Sequence, residues 1–185
     1  MFVTDKMIDE MAARYGIPKA AGFVFPVSDK EYKRIRSSQK HGRKHDVTMY
    51  IFKDDQVIVI ATPFYPPGMY RAPSGGLRPE ESFKDGIARE TFEETGCRIA
   101  LEKFLLRTEV LFENAFGTIE WNSFVFQARY VGGDFEFTDH REIREVRLAH
   151  LEEFSGFAKI MRSMDIGSLH YRASLHEAIE PLLKL

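Results

Sequence analysis

The chain is poor in cysteine, has no long apolar stretch and carries almost no net charge. Its single cysteine, Cys97, excludes an intrachain disulfide and is expected to be a packed thiol. No apolar run reaches the roughly 18 residues that span a bilayer, and residues 1–15 lack the apolar centre of a signal peptide. A formal net charge of −2 gives no overall positive field for nucleic acid or anionic lipid. These absences favour a cytoplasmic protein that has no membrane partner.

The composition is typical of a globular domain, since 44% of the 185 residues are hydrophobic and 29% are charged. We expect a single domain over residues 1–185. Its expected parts are an N-terminal helical extension (1–44), a catalytic core (45–155) and C-terminal helices (156–185).

Capping residues and residue patterns predict the secondary structure. Thr4 and Ser28 are expected to cap helices over 5–15 and 29–38, and further helices are expected over 148–154, 157–164 and 171–183. Stretches of β-branched and aromatic residues predict strands over 47–52, 57–61, 99–106, 108–112 and 119–130. This order of elements is typical of an α/β fold.

Segment 75–97 combines paired glycines with closely spaced carboxylates. Glu90, Glu93 and Glu94 are spaced i, i+3 and i+4, so on a helix they project from one side. Like charges placed this way destabilise a helix unless a divalent cation neutralises them. Carboxylate oxygens suit Mg²⁺ or Mn²⁺, and such ions commonly bind substrate phosphates as well. The segment therefore indicates phosphate-anhydride chemistry, whereas the alternative is a solvated surface helix.

Arg89 and the glycines complete this pattern. Arg89 precedes Glu93 by one helical turn, so it is expected to hold that carboxylate in a fixed orientation. Gly75 lets the backbone approach a metal or phosphate closely, and Gly96 is expected to end the helix in a left-handed conformation. The opposite arc of the helix is expected to pack on a sheet through Ile87, Ala88, Thr91 and Phe92.

The motif consists of Gly75, five residues, Glu81, seven residues, and then Arg89-Glu90-Thr91-x-Glu93-Glu94-x-Gly96-Cys97. It fills every position of the signature of the Nudix hydrolases, and the chain resembles that family more loosely over about 45–155. The resemblance implies an α/β/α sandwich with a mixed β-sheet, to which the N-terminal and C-terminal helices are added. It also implies hydrolysis of a nucleoside diphosphate derivative, NDP-X, to NMP and phosphorylated X, with Mg²⁺ (or Mn²⁺) as cofactor.

The resemblance also implies roles for particular residues. Glu90 and Glu94 would bind the metal, Glu93 would be a further ligand or the base, and Gly75 would lend a carbonyl. Glu81 is a supporting ligand, and Arg89 belongs to the catalytic set. The general base can also lie on a later loop, where Glu142 is preferred over Asp139. The alternative for Glu142 is an exposed charge without a role.

Several alternatives stay open at this stage. The basic stretch 33–44, with His41 and the nearby His45, is either a solvated helix and loop or a site for substrate phosphate or an RNA backbone. Aromatic residues are either core or base-stacking rings; they are Phe64, Tyr65, Tyr70, Phe112, Phe116 and Trp121. The substrate class is open, with capped RNA included, and a homodimer is the default oligomer. The competing function is a nucleotide sensor that does not turn its ligand over.

Overall fold

A mixed β-sheet forms the centre of the computed structural model, which describes residues 3–183. Its strands are β1 (Lys19–Pro26), β2 (His45–Lys53), β3 (Gln56–Ala61), β4 (Ser74–Gly75), β5 (Cys97–Asn114), β6 (Gly117–Gly133) and β7 (Glu145–Ala149). The strand order is β1-β5-β6-β2-β3-β7, and β4 pairs with the first half of β2. The β1/β5 and β2/β6 pairs are parallel, and the other pairs are antiparallel.

Helices cover both faces of this sheet. They are α1 (Asp5–Tyr15), α2 (Asp29–Ser38), α3 (Phe83–Thr95), α4 (Glu153–Ser163) and α5 (Gly167–Leu183). One apolar cluster joins α1 and α3 to one face through residues such as Met11 and Ile87. A second cluster joins α4 and α5 to the other face through residues such as Phe157 and Ile179. The expected α/β/α sandwich with terminal helices is confirmed.

The two N-terminal helices begin at the predicted capping residues. The Thr4 hydroxyl accepts a hydrogen bond from the Met7 amide at 3.2 Å. Ser28 and Glu31 form a capping box, in which each side chain accepts a bond from the other residue's backbone amide. Both helix boundaries follow from local contacts, which explains why the sequence predicted them correctly.

The predicted N-terminal helical extension, 1–44, also contains strand β1, which was not predicted. This strand pairs in parallel with β5, and Lys19 lies opposite Leu106. Along this strand, partly buried side chains such as Phe23 and Phe25 alternate with exposed ones. Its pairing partner is more than 80 residues away, so a local pattern could not reveal it.

The helix predicted over 148–154 is wrong. Leu148 and Ala149 belong to β7 and pair with Ile58 and Val57 of β3, and α4 begins only at Glu153. Tertiary pairing with a buried strand overrides the weak helical preference of this segment. The expected boundary between 155 and 156 falls inside α4. The strands predicted over 99–106 and 108–112 are one continuous strand, β5.

The segments before residue 42 and after residue 165 contact each other directly. The ring of Tyr171 on α5 lies 6.0 Å from that of Phe23 and 6.1 Å from that of Phe25. The buried carboxylate of Glu31 accepts hydrogen bonds from the amide and hydroxyl of Ser168, each at 3.0 Å. No helix within residues 3–183 is both long and apolar enough to cross a membrane.

Candidate active site

Helix α3 carries the glutamates and is fixed at both ends by its own sequence. Ser82 caps its first turn by accepting a bond from the Asp85 amide at 3.1 Å. Gly96 ends it in the left-handed conformation with φ of 68°. The face that meets the sheet is made of Phe83, Ile87, Thr91 and Glu94, all buried. The predicted packing face is therefore wrong in part, because Ala88 and Phe92 are exposed. Glu94 takes their place in the packed face because it lies seven residues after Ile87 and three after Thr91, on the same side of the helix.

Glu94 is buried between α3 and the segment that precedes the glycine turn. Only 3% of the residue is exposed. One carboxylate oxygen accepts the Ser74 amide at 2.7 Å, and the other accepts the Arg71 guanidinium at 3.1 Å. Burial raises the pKa of Glu94 to about 7, and the charge of Arg71 opposes this rise. Arg71 also donates to the Ser74 hydroxyl at 2.8 Å, so a small network fixes the Glu94 carboxylate.

Glu90 packs against the two glycines at the end of β4. A Cβ atom on Gly75 would lie 2.0 Å from Oε2 of Glu90, so only glycine permits this approach. The Gly76 amide donates to Oε1 of Glu90 at 3.2 Å. Burial raises the pKa of Glu90, although the neighbouring Arg89 opposes the change.

The Arg89 guanidinium holds three carboxylates together. Its Nε and Nη2 bond the two oxygens of Glu81 at 2.8 and 2.7 Å. Its Nη1 bonds Glu90 at 2.8 Å and Glu93 at 3.1 Å. The Nη2 group also donates to the Gly76 carbonyl at 3.0 Å. The hydrogen bonds from Arg89 lower the pKa of Glu81. The predicted contact with Glu93 is present, and Arg89 additionally ties α3 to the loop that precedes it.

The side chains do not form a closed cation cage in this arrangement. Among residues 3–183, no three His, Cys, Asp or Glu side chains are grouped so as to hold a metal ion. The physical reason is that Arg89 lies between Glu81, Glu90 and Glu93 and supplies the compensating charge itself. Glu93 is more open than Glu90 and also pairs with Arg78 at 3.2 Å. The donor set nevertheless consists of hard oxygens, which fits Mg²⁺ or Mn²⁺.

The acidic loop that contains Asp139 and Glu142 lies against the C-terminal end of α3. The amides of Thr138 and Asp139 donate to the Glu93 carbonyl at 3.0 and 3.1 Å. Glu142 is exposed, and its amide donates to the Asp139 carboxylate at 3.1 Å. In the part of the chain that the structure describes, the Glu142 carboxylate has no hydrogen bond or ion pair. The structure brings the loop to the helix without joining Glu142 to the other glutamates.

Three arginines at the site, Arg43, Arg71 and Arg78, were not singled out from the sequence; Arg78 pairs with Glu93. Arg71 is the only charged residue in the proline- and aromatic-rich run 62–73, a signal that was available. Arg43 belongs to the basic stretch 33–44, but it differs from the rest of it. A Cβ atom on Gly76 would lie 1.6 Å from Nη1 of Arg43, and the guanidinium carbon is 6.0 Å from the Trp121 ring centroid.

The other basic residues of the stretch are exposed to solvent. They are Lys33, Arg34, Arg36, Lys40 and Lys44, together with His41. Lys44 pairs with Glu120 at 2.8 Å. His45 is buried, and burial lowers its pKa to about 4. The exposed charges match the alternative of a solvated helix and loop.

Of the six aromatic candidates, Tyr70, Phe112 and Trp121 are buried in the core, Tyr65 is partly buried, and Phe64 and Phe116 are exposed. Two of the cavities lined by residues 3–183 lie beside the sheet. One of about 20 Å³ lies between the sheet and helices α4 and α5 and is lined by Tyr50, Tyr70, Arg71, Phe154 and His176. That volume holds about one water molecule. The other, of about 290 Å³, is lined by Asp5, Lys44, Arg107 and Asn122 among others.

The sequence and fold have known relatives. A family model described as the NUDIX domain matches residues 42–165, roughly two thirds of the chain. The chain therefore belongs to the Nudix family, which acts on small nucleotide derivatives and generally uses a divalent metal. This membership supports a pyrophosphohydrolase enzyme. No curated protein sequence matches the chain.

Solved structures show the same fold at low sequence identity. A NUDIX hydrolase from Nitrosomonas europaea is 21% identical, with 74% of this chain and 68% of that chain covered and a TM-score of 0.51. A MutT protein from Methanosarcina mazei Go1 is 23% identical, with 76% and 96% covered and a TM-score of 0.52. A NUDIX-family hydrolase from Clostridium perfringens is 16% identical, with 77% and 99% covered and a TM-score of 0.50. At these identities the likeness concerns the fold.

Proposed function

We propose that the protein is a divalent-metal-dependent hydrolase that cleaves the diphosphate linkage of a nucleoside diphosphate derivative. Water attacks phosphorus, and the products are NMP and phosphorylated X. The observation that carries the proposal is the approach of two glutamates of α3, Glu90 and Glu94, to the segment 74–76. A solvated helix would not require a glycine opposite one glutamate or bury another at the sheet.

Glu90, Glu93 and Glu94, with the Gly75 carbonyl, are the groups that would hold Mg²⁺ or Mn²⁺. A bound cation supplies phosphoryl polarisation and a more acidic water at such a site. Glu94 is held by Ser74 and Arg71, so its carboxylate is positioned in advance. Arg89 offsets the repulsion among the carboxylates and thereby keeps the site folded.

The base that accepts the proton of the attacking water is proposed to be Glu142, with Asp139 as the alternative. The bonds from Thr138 and Asp139 to the Glu93 carbonyl support this proposal because they anchor the loop beside α3. Glu142 itself is exposed, so it has freedom to reach a bound substrate. Glu142→Gln should lower kcat more than it changes KM.

The proposal is tested by assaying product release from nucleoside triphosphates, nucleotide sugars, dinucleoside polyphosphates and capped RNA, with Mg²⁺ or Mn²⁺. Glu94→Gln should lower kcat/KM by about 100-fold or more, since it removes a charged ligand. Glu109→Gln is the matched control, because Glu109 is an exposed glutamate on β5 and lies outside the motif. If the wild-type protein binds metal and nucleotide but turns over none of these compounds, the sensor alternative replaces the hydrolase.

A further inference from the structure

We propose that Arg43 binds a phosphate group of the substrate beside the Gly75 and Gly76 turn. The ligand class is the non-bridging oxygens of a diphosphate, and this choice rests on the proposed function. Arg43 lies outside the signature segment, in the basic stretch whose other cations face solvent.

The first support for the proposal is the position of Arg43 beside the glycine turn. Glu90 and Arg43 approach consecutive glycines of the same turn: a Cβ on Gly75 would meet Glu90 at 2.0 Å, and one on Gly76 would meet Nη1 of Arg43 at 1.6 Å. The guanidinium therefore lies beside the turn that adjoins the proposed cation ligand. Gly76 provides the space that brings a positive side chain this close to the turn.

The charge of Arg43 is not compensated in the same way as that of its neighbours. Arg71, Arg78 and Arg89 next to this turn each pair with a glutamate. Arg43 takes part in no ion pair within residues 3–183, although it is half-buried. Its Nε atom is buried and has no hydrogen-bond partner there. A desolvated donor without a partner is costly, and an anion that binds next to it removes that cost.

The backbone holds Arg43 in a defined place. The Arg43 amide donates to the Lys40 carbonyl at 3.2 Å, and the Lys44 carbonyl accepts the Asn122 amide of β6 at 2.8 Å. His41 and Gly42 have φ values of 57° and 81°, which turn the chain sharply before Arg43. Arg43 is thus fixed between a tight turn and the sheet, which lowers the entropy lost when it binds a ligand.

The chemistry of the side chain then selects the ligand. The planar guanidinium presents paired N–H donors that match two oxygens of a phosphate. Each pair of charge-assisted bonds is stronger than a bond between neutral groups. The Trp121 ring, 6.0 Å from the guanidinium carbon, forms an apolar side of this site and is the only tryptophan of the chain.

Methylenediphosphonate, a non-hydrolysable diphosphate, tests the proposal in the presence of Mg²⁺. Its binding is followed by Trp121 fluorescence and by calorimetry in the wild-type protein, Arg43→Ala, Arg43→Lys and Lys40→Ala. We expect Arg43→Ala to raise Kd by about 10- to 100-fold, as for loss of hydrogen bonds to a charged group. Arg43→Lys should lie between that variant and the wild type because it keeps the charge and loses the fork. Lys40→Ala removes an exposed charge three residues away and should change Kd by less than about 2-fold.

Several results would overturn the proposal: no binding of methylenediphosphonate by the wild-type protein, an unchanged Kd in Arg43→Ala, or an equal loss in Lys40→Ala. Circular dichroism and thermal unfolding exclude a trivial loss of fold, and Arg43→Lys keeps the test valid if Arg43→Ala unfolds. The outcome is separable from that of the proposed function. A protein that binds the probe through Arg43 but hydrolyses nothing contradicts the hydrolase alone, whereas turnover with an unchanged KM in Arg43→Ala contradicts this inference alone.

Discussion

Replacing Gly75 by alanine should disable the site while leaving the fold nearly intact. The new Cβ would lie 2.0 Å from Oε2, 2.1 Å from Cδ and 2.6 Å from Cγ of Glu90. Contacts below 3.0 Å essentially do not occur for real Cβ atoms, so the carboxylate must retreat by about 1 Å or more. Gly75 does not have a positive φ, so its backbone accepts alanine and the effect is confined to Glu90.

A displacement of this size exceeds the tolerance of about 0.5 Å within which catalytic groups function. A misplacement of about 1 Å costs about 100-fold in rate, which corresponds to about 2.7 kcal/mol in the activation barrier. We therefore expect kcat/KM to fall about 100-fold in the Gly75→Ala variant. The free energy of unfolding should change by less than about 1 kcal/mol, because the displaced group is the end of a flexible side chain.

Steady-state kinetics with Mg²⁺, together with urea unfolding, provide the measurement. Gly156→Ala is the matched control: Gly156 lies in α4 with no atom within 4 Å of an added Cβ, so activity should be unchanged. In a Glu90→Gln background, Gly75→Ala should add little, because both changes act on the same carboxylate. A folded Gly75→Ala variant with kcat/KM within about 3-fold of the wild type would refute the reasoning.

Three further predictions concern stability. Arg71→Ala removes the charge partner of buried Glu94 and raises its pKa further, so Glu94 takes up a proton and unfolding in guanidinium chloride should show a loss of about 1–3 kcal/mol; an unchanged free energy of unfolding would contradict the buried pairing. Burial lowers the pKa of His176 to about 4 in the folded protein, whereas a histidine in the unfolded chain has a pKa of about 6.5. As the pH falls below about 6.5, this histidine is therefore protonated in the unfolded chain before it is protonated in the folded protein. Stability should decrease by about 2 kcal/mol between pH 7 and pH 5 from this group, and the decrease should be smaller in His176→Gln under urea. Gly96→Ala should cost about 1–3 kcal/mol in thermal unfolding, more than Gly42→Ala, because both have positive φ but only Gly96 faces a neighbouring backbone at 2.5 Å.

The sequence predicted the parts of the fold that depend on local contacts. The caps Thr4 and Ser28 and the left-handed Gly96 act within one helical turn, so their residue types identify the helix ends. The spacing of the glutamates predicted that Glu90, Glu93 and Glu94 project from one side of α3; Glu90 and Glu93 are only partly buried, whereas Glu94 is buried at the sheet. Which face of α3 meets the sheet could not be predicted from the spacing alone, because the burial of Glu94 depends on its ion pair with Arg71 from another segment.

Features that depend on distant segments escaped prediction. Strand β1 forms because it pairs with the edge of β5, and β7 forms because it pairs with β3. Neither partner can be recognised from the residues of the strand itself. The same applies to Arg43, whose residue type resembles that of its exposed neighbours. The approach of Gly76 and the burial of the Arg43 Nε atom distinguish it, and both are properties of the folded chain.

The contact between the two terminal segments has a practical consequence for shortened versions of the protein. Helix α5 rests its Tyr171 ring on Phe23 and Phe25, while Ser168 satisfies the buried Glu31. Removing the C-terminal segment would expose Phe23 and Phe25 and deprive Glu31 of its two bonds from Ser168, and removing the N-terminal segment would expose the Tyr171 ring. A fragment cut to the family boundaries, 42–165, would lose both halves of this contact and uncover one side of β5. Both ends should therefore be kept in a shortened version, and soluble expression should require both.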